Sequence, residues 1–387
     1  MPDPAATPTV FRLGDRGDVV ADIRGRLGRL GLLDQPPGPD ADHYDASVER
    51  AVRAFQQQRG LSADGVVGRT TWRALDEARW HLGDRVLVHL PGSLQAGDDV
   101  LTLQRRLLDL GFKTGRVDGR FGPGTEAAVR DFQRNVGIPP DGTCGPATLK
   151  ALSRLAPMVK GGSPNAMRAE ERIRREGPQL PGKIVVIDAA TTPVDDPTLA
   201  ALAERVTSDL ARRVEGRLVA TGVQAYLTRP HAAENDEAAT HVADFANRTG
   251  AHLCVSLQVD ASDRPGTRGV STYYFGIEAH GVASSVGERF AGLVQREIVA
   301  RTDLPDLRSH ARSWDLLRLT RMPTVCVEVG YVTNPEDAAR LADPAFRDVV
   351  AEAIVVAVQR LYLAPESDPH TGVLRVDEIR ALRHLPR

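Results

Sequence analysis

The sequence predicts a multidomain chain: two small three-helix domains followed by one α/β sandwich domain. Two observations carry this. A unit in the N-terminal part occurs twice at a fixed offset, and from Lys183 onward short β-branched runs alternate with long amphipathic stretches. Between them, residues 158–182 change character, with turn formers flanking a short charged run that reads as a solvated helix. The expected boundaries are 10–80 for the first repeat, 88–157 for the second, 158–182 for a linker, 183–364 for the α/β domain and 365–387 for a tail.

The repeat is visible residue by residue. FRLGDRGDVVADIRGRLGRLG (Phe11 to Gly31) aligns with GSLQAGDDVLTLQRRLLDLG (Gly92 to Gly111), and AVRAFQQQRGLSADGVVGRTTWRAL (Ala51 to Leu75) with AVRDFQRNVGIPPDGTCGPATLKAL (Ala128 to Leu152). From Phe55 to Phe132, Asp64 to Asp141 and Gly68 to Gly145 the offset holds at 77 residues, which marks duplication. Val19, Val20, Ile23, Leu27 and Leu30 recur at helical spacing, as do Val100, Leu101, Leu103, Leu107 and Leu110. Gly31 and Gly111 stand where these helices end. Ala51, Val52 and Phe55 form the apolar face of a second helix, and the DGxxG turns place Thr71 and Thr148 near the start of a third.

In the α/β part, KIVVID reads as the first strand, Leu199–Val219 as a long helix and VQAYLTR as the second strand. A helix over Ala233–Arg248 leads to strands LCVSLQVDA and GVSTYYF and a helix near Ser284–Val299. TVCVEVGYV is a late strand, and Phe346–Tyr362 the closing helix. This alternation implies helices packed on a parallel or mixed sheet.

Composition bounds the function. A formal net charge of −2 gives no global basic field for nucleic acid or anionic lipid, and no stretch reaches the ~20 apolar residues of a membrane span. The N-terminus lacks a basic start followed by an apolar run, so no signal peptide is expected. Cys144, Cys254 and Cys326 are odd in number and far apart, and are expected as buried free thiols in a reducing compartment. The chain therefore reads as cytoplasmic.

The repeats closely resemble the three-helix peptidoglycan-binding domain appended to many wall hydrolases. In the second, Asp118-Gly119-Arg120-Phe121-Gly122-Pro123-Gly124-Thr125 follows the family's DGxFGxxT element. The resemblance implies peptidoglycan contact near Asp118, Arg120, Phe121 and Thr125. The first repeat departs there, keeping only Tyr44 in the phenylalanine position. A helical interaction module that kept the fold and dropped the ligand is the alternative.

The α/β part resembles the zinc-dependent N-acetylmuramoyl-L-alanine amidases of the amidase-3 type. IVVID (184–188), TR (228–229), AN (246–247) before GAHLCVSLQVDA, RMPTVCVEVGYVTNPED (321–337) and DPAFRDVVAEAIVVAVQRLY all fall in the family's order. A catalytic zinc needs about three nitrogen or oxygen ligands and an open position for water. In the family the first ligand is the histidine of a DxGHGG turn; here Thr191 stands there. A later ligand is the histidine of SxHxNA; here it is Gln258. The remaining ligand is a helix glutamate, for which Glu204 is the nearest candidate, although an ungapped count from Arg229 lands on Ala203. The catalytic glutamate position is kept as Glu328. A hydroxyl and an amide replace imidazole poorly as zinc ligands, so no metal is expected and Glu328 is expected to be idle. A rebuilt site would need His231, His241, His252, His280 or His310 to converge on Glu328.

Three function classes follow. The first is a degenerate cytoplasmic regulator or scaffold of peptidoglycan precursor synthesis. It resembles actinobacterial amidase-like proteins whose tail, phosphorylated by a serine/threonine kinase, permits activation of UDP-N-acetylglucosamine 1-carboxyvinyltransferase. Here the tail offers Thr371, where a phosphate would sit near Arg375 and Arg380. An unmodified, partly helical tail is the alternative, from the spacing of Val373, Val376, Ile379 and Leu382. The second class is an active zinc amidase cleaving the N-acetylmuramic acid–L-alanine bond, and the third a wall-binding module without turnover.

Overall fold

The computed structural model describes residues 10–33, 41–155, 164–191, 194–228, 231–232, 236–262, 264, 266–277, 280–364, 368 and 370–377. The chain divides into two compact units, Met1–Met167 and Arg168–Arg387.

The first unit holds both repeats, each built from three helices: α1 (Asp18–Arg29), α2 (Ala46–Arg59) and α3 (Arg69–Ala78), then α4 (Asp98–Asp109), α5 (Pro123–Val136) and α6 (Pro146–Arg154). Asp45 caps α2 by accepting from the Ser47 and Val48 amides. Gly60 and Gly137 close α2 and α5 in the left-handed conformation, at φ 66° and 73°. One face of each helix set makes the core: Val20, Ile23, Leu27, Phe55 and Leu75 in the first repeat, and Val100, Leu103, Leu107, Phe132 and Leu152 in the second. Val19, expected on the apolar face of α1, is instead 40% exposed.

A buried glutamine organises each DG turn. Gln133 Nε2 donates to Asp141 Oδ1 (2.7 Å), the Thr143 carbonyl (3.0 Å) and Thr148 Oγ1 (3.0 Å), while its Oε1 accepts from the Gly142 amide at 2.9 Å. Gln56 repeats this with Asp64, Val66, Thr71 and Gly65. Gln104 does the same at the preceding turn of the second repeat, donating to Asp118, Arg120 and Thr125. A glutamine suits the task because one amide supplies both donors and acceptors to a turn that would otherwise bury unpaired backbone groups. In the first repeat Arg24 stands in the place of Gln104, donating to the His43 carbonyl and to Asp45.

The second unit is a three-layer α/β/α sandwich. Its eight strands are β1 (Ile184–Thr191), β2 (Gln224–Leu227), β3 (His231–Ala232), β4 (Leu253–Asp260), β5 (Val270–Ile277), β6 (Val282–Ala283), β7 (Asp306–Arg312) and β8 (Thr324–Tyr331). The sheet order is β2-β1-β4-β8-β5-β6, with β3 beside β1 and β7 beside β5. Strands β2, β1, β4 and β8 run parallel, and β5 returns antiparallel to β8. All of β8 is buried, as expected of a central strand read from a continuous apolar run.

Strand alternation gives the sheet two unlike faces. Val185, Ile187, Val255, Leu257, Val325 and Val327 point to one side. They form the main core with α8 (Pro197–Ala220), α10 (Ser285–Arg301) and α13 (Pro344–Tyr362). On the other side Val186 and Cys254 meet Ala246 of α9 (Asp236–Arg248) and Met322. There α11 (Asp315–Leu319) follows β7 and packs on α9, whereas α12 (Pro335–Ala342), which follows β8, sends Leu341 into the main core beside α8 and α13.

Two expected boundaries shift. The segment 158–182 was expected to be a linker with a short solvated helix; the helix is there as α7 (Pro164–Arg175), but Ile173 and Leu180 are buried in the main core of the α/β unit. Their apolar side chains draw this stretch into the domain. The expected tail, too, is in part docked: Val376 belongs to the same core. Arg380, Ile379 and Leu382 lie outside the described residues.

Candidate functional site

The site is the polar face of the sheet. Pairing register lines Asp188, Ser256, Cys326, Tyr273 and His310 across β1, β4, β8, β5 and β7. The next row toward the C-terminal ends of β4 and β8 holds Gln258, Glu328 and Ser271. Directly opposed residues share a face, so these side chains meet.

Glu328 sits at the centre and is almost wholly buried. Its Oε1 accepts from Gln258 Nε2 at 2.9 Å. Its Oε2 accepts from Ser271 Oγ at 2.9 Å and from the Tyr273 hydroxyl at 2.6 Å, and those two hydroxyls lie 2.9 Å apart. Burial first, then the neighbouring Asp260 carboxylate, push the Glu328 carboxyl up to about 7, against the three donors that favour its charged form. The Tyr273 ring is in turn covered by Trp314 at 4.6 Å, by Arg312 at 5.3 Å and by His310 at 5.8 Å. Burial, then the negative charge of Glu328, raise the Tyr273 phenol well above the usual range, so it stays a donor. One row away, Asp188 is buried and accepts from Thr228 Oγ1 and from Ser256 Oγ, the latter at 2.7 Å.

This is a closed hydrogen-bond network. A general base needs a lone pair aimed at a bound water. Here both carboxylate oxygens already accept from protein groups. Against a carboxylate, Gln258 must present its N–H side, which is the wrong polarity for a metal ligand. Thr191 ends β1, paired with Ala232, and its side chain lies outside the described residues. Glu204 is exposed on α8, while Ala203 beside it is buried in the main core. No contact among the described residues joins Glu204 to Glu328, and these residues contain no cluster of three His, Cys, Asp or Glu placed to hold a metal. The donor set does not fit a catalytic zinc.

His241, His252 and His310 do not converge on Glu328, and the His231 side chain lies outside the described residues. His252 begins the β4 region at the far end from Gln258, and its Nδ1 accepts from the Ile184 amide at 3.0 Å. His310 shares a row with Tyr273, but its Nε2 meets the Leu307 carbonyl at 2.6 Å. His241 is exposed on α9.

Residues 185–360 match the family described as N-acetylmuramoyl-L-alanine amidase, of the amidase-3 type, and residues 16–75 and 96–152 match the peptidoglycan-binding domain. The N-acetylmuramoyl-L-alanine amidase CwlM of Mycobacterium tuberculosis is 44% identical over 398 residues, covering 98% of this chain and 97% of that protein. The chain belongs to the N-acetylmuramoyl-L-alanine amidase family. A spore cortex-lytic enzyme of Bacillus cereus is 51% identical over 57 residues, 15% of this chain and 22% of that protein. The crystal structure of the amidase Ami1 from Mycobacterium smegmatis aligns with 48% of this chain and 98% of its own, at 23% identity and a TM-score of 0.40.

Within this amidase-family domain, Glu328 on β8 is surrounded by Gln258, Ser271 and Tyr273. Ser271 and Tyr273 were not singled out in the sequence, although alternation along GVSTYYF puts both on the face of Glu328. In the second peptidoglycan-binding repeat, Phe121 is fully buried in the core and Thr125 is buried against Gln104. Asp118 holds the turn by accepting from Gln104 and the Arg120 amide. Asp118 and Arg120 are both half-buried, the two members of that set that reach the surface. In the first repeat Tyr44 takes the core position of Phe121, fully buried with its hydroxyl donating to the Gly65 carbonyl at 2.8 Å.

Proposed function

We propose that this chain is a catalytically degenerate amidase-family protein that regulates or scaffolds peptidoglycan precursor synthesis in the cytoplasm. The observation that carries the reading is the Gln258–Glu328 hydrogen bond, with Ser271 and Tyr273 occupying the other carboxylate oxygen. It sets an amide donor against the carboxylate, which supports a site satisfied by protein groups without zinc. The peptidoglycan-binding repeats support peptidoglycan or its precursors as the ligand, through surface around Arg120. All three cysteines are free and buried, and burial pushes the Cys144 thiol up to about 12; this fits a reducing compartment. The protein partners that fit the reading are UDP-N-acetylglucosamine 1-carboxyvinyltransferase and a serine/threonine kinase acting on Thr371.

The competing reading is an active N-acetylmuramoyl-L-alanine amidase, favoured by retention of Glu328 and by the name of the Mycobacterium tuberculosis relative. One experiment separates them: zinc stoichiometry of the chelator-treated chain, beside muropeptide release with and without added zinc. The proposal expects no bound zinc and no release. Roughly one zinc per chain with released peptide overturns it. A third reading, wall binding without turnover, is distinguished by fractionation: the proposal expects the chain in the cytoplasmic fraction.

A further inference from the structure

The described residues of the C-terminal segment, 368 and 370–377, are fastened to the α/β unit by a buried charge network. Glu297 of α10 is fully buried. Its Oε1 accepts from Arg360 Nη1 at 2.6 Å, and its Oε2 from Arg301 Nε and Nη2 at 2.9 and 2.7 Å. Arg360 of α13 then reaches the segment itself. Its Nε and Nη2 donate to the two carboxylate oxygens of Asp368 at 2.7 and 2.9 Å, and its Nη1 to Thr371 Oγ1 at 3.0 Å. The Gly372 amide donates to Glu297 at 3.2 Å, and Arg301 Nη2 donates to the Leu374 carbonyl at 2.7 Å. Past these contacts Leu374 and Val376 pack on the main core, and Arg375 pairs with Glu352 at 3.6 Å.

Thr371 is the point where added charge would act. It touches Arg360, not Arg375, and Arg360 is already committed to Asp368 and Glu297. Three carboxylates, Glu297, Asp368 and Glu352, balance three guanidiniums, Arg301, Arg360 and Arg375. We propose that residues 368–377 form a releasable clasp latched at Thr371, and that negative charge gained on that hydroxyl opens it. The source of the charge rests on the reading of Thr371 as a kinase substrate given above; the clasp rests only on the contacts. In phosphoryl transfer from a nucleoside triphosphate, the Thr371 oxygen bonds to the γ-phosphorus, the bridging oxygen leaves with the diphosphate, and the hydroxyl proton passes to the kinase. The product carries roughly −1.5 to −2 charge beside the buried Glu297 and the half-buried Asp368, whose cationic partners are engaged. Opening would hand Leu374 and Val376 to solvent or to a partner and uncover the apolar strip beneath them.

The test uses the full chain and reads amide exchange over 368–377 together with tryptic cleavage after Arg375. Thr371→Glu is expected to raise exchange roughly tenfold or more and to speed cleavage, whereas Thr371→Val, which loses the hydroxyl without adding charge, stays protected. Asp368→Asn combined with Thr371→Glu is expected to restore protection, because the Nε and Nη2 of Arg360 become available to the new carboxylate. A protected tail in Thr371→Glu overturns the clasp. So does opening of Thr371→Val to the same extent, or a double variant as open as the single one. None of these variants involves a kinase. An opening clasp in a chain that no kinase modifies removes the phosphorylation reading alone, and a phosphorylated Thr371 with a protected tail removes the clasp alone.

Discussion

Replacing Glu328 by Gln tests the closed site at its centre. The folded carboxyl titrates at about 7, against 4.5 for the ordinary side chain. Between these values the folded state holds a proton that the unfolded state has released. The associated stability is therefore complete below about pH 4.5 and lost as pH rises through 7. At about 1.4 kcal/mol per pH unit, that window can remove at most roughly 3 kcal/mol. Going from pH 5 to pH 8 should cost the parent roughly 2 kcal/mol more than Glu328→Gln, whose amide does not titrate. Trp314 stacks on Tyr273, so its fluorescence reports unfolding of this domain in a Trp72→Phe, Trp80→Phe background. Urea melts at the two pH values give the difference directly. If parent and variant lose stability in parallel, Glu328 does not hold a proton in the folded state, and the argument from its burial is wrong.

Tyr273→Phe removes the shortest donor to Glu328 and should destabilise the domain at pH 8 by about 1–3 kcal/mol, with a smaller cost at pH 5, by the same melts. Thr191→His combined with Gln258→His should raise zinc affinity in calorimetric titration; a double variant that binds no more zinc than the parent would show those positions to be misassigned. Gln133→Ala breaks the bonds that hold the second DG turn and should cost about 2–4 kcal/mol in scanning calorimetry of the full chain. Its neighbour in type but not in burial, Gln57→Ala on the exposed side of α2, should leave the transition unmoved. Gly142→Ala should also destabilise, because its φ is +80° and an added Cβ would lie 2.8 Å from Arg130 Nε.

The strands and helices that the sequence announces most plainly are those with one strong period or one unbroken apolar run, such as IVVID, TVCVEVGYV and the closing helix. What it hides has physical causes. Strand β7 reads DLRSHAR, with no β-branched residue and mostly exposed or half-buried side chains, so neither propensity nor alternation marks it. Arg308 there takes φ 68°, and the register slips beside it, which no residue type foretells. A glutamine where the family resemblance leads one to expect histidine is plain in one dimension. The partnership of Gln258 with Glu328 depends on neighbouring strands far apart in sequence, and the hydroxyls of Ser271 and Tyr273 arrive from a strand running the other way. The glutamine behind each DG turn was equally silent: FQ was legible as a repeat, but only burial shows the amide turned inward.

The two faces of the central sheet are held by different residues, and this separates two kinds of evolutionary pressure. Substitutions at Gln258, Ser271 or Tyr273 fall on the polar side, away from the valines and leucines beneath α8, α10 and α13. Residues on the polar side can thus change while the main core stays intact. The same partition leaves a ready scaffold, since any new recognition chemistry evolved on the polar side would inherit a core already tolerant of it.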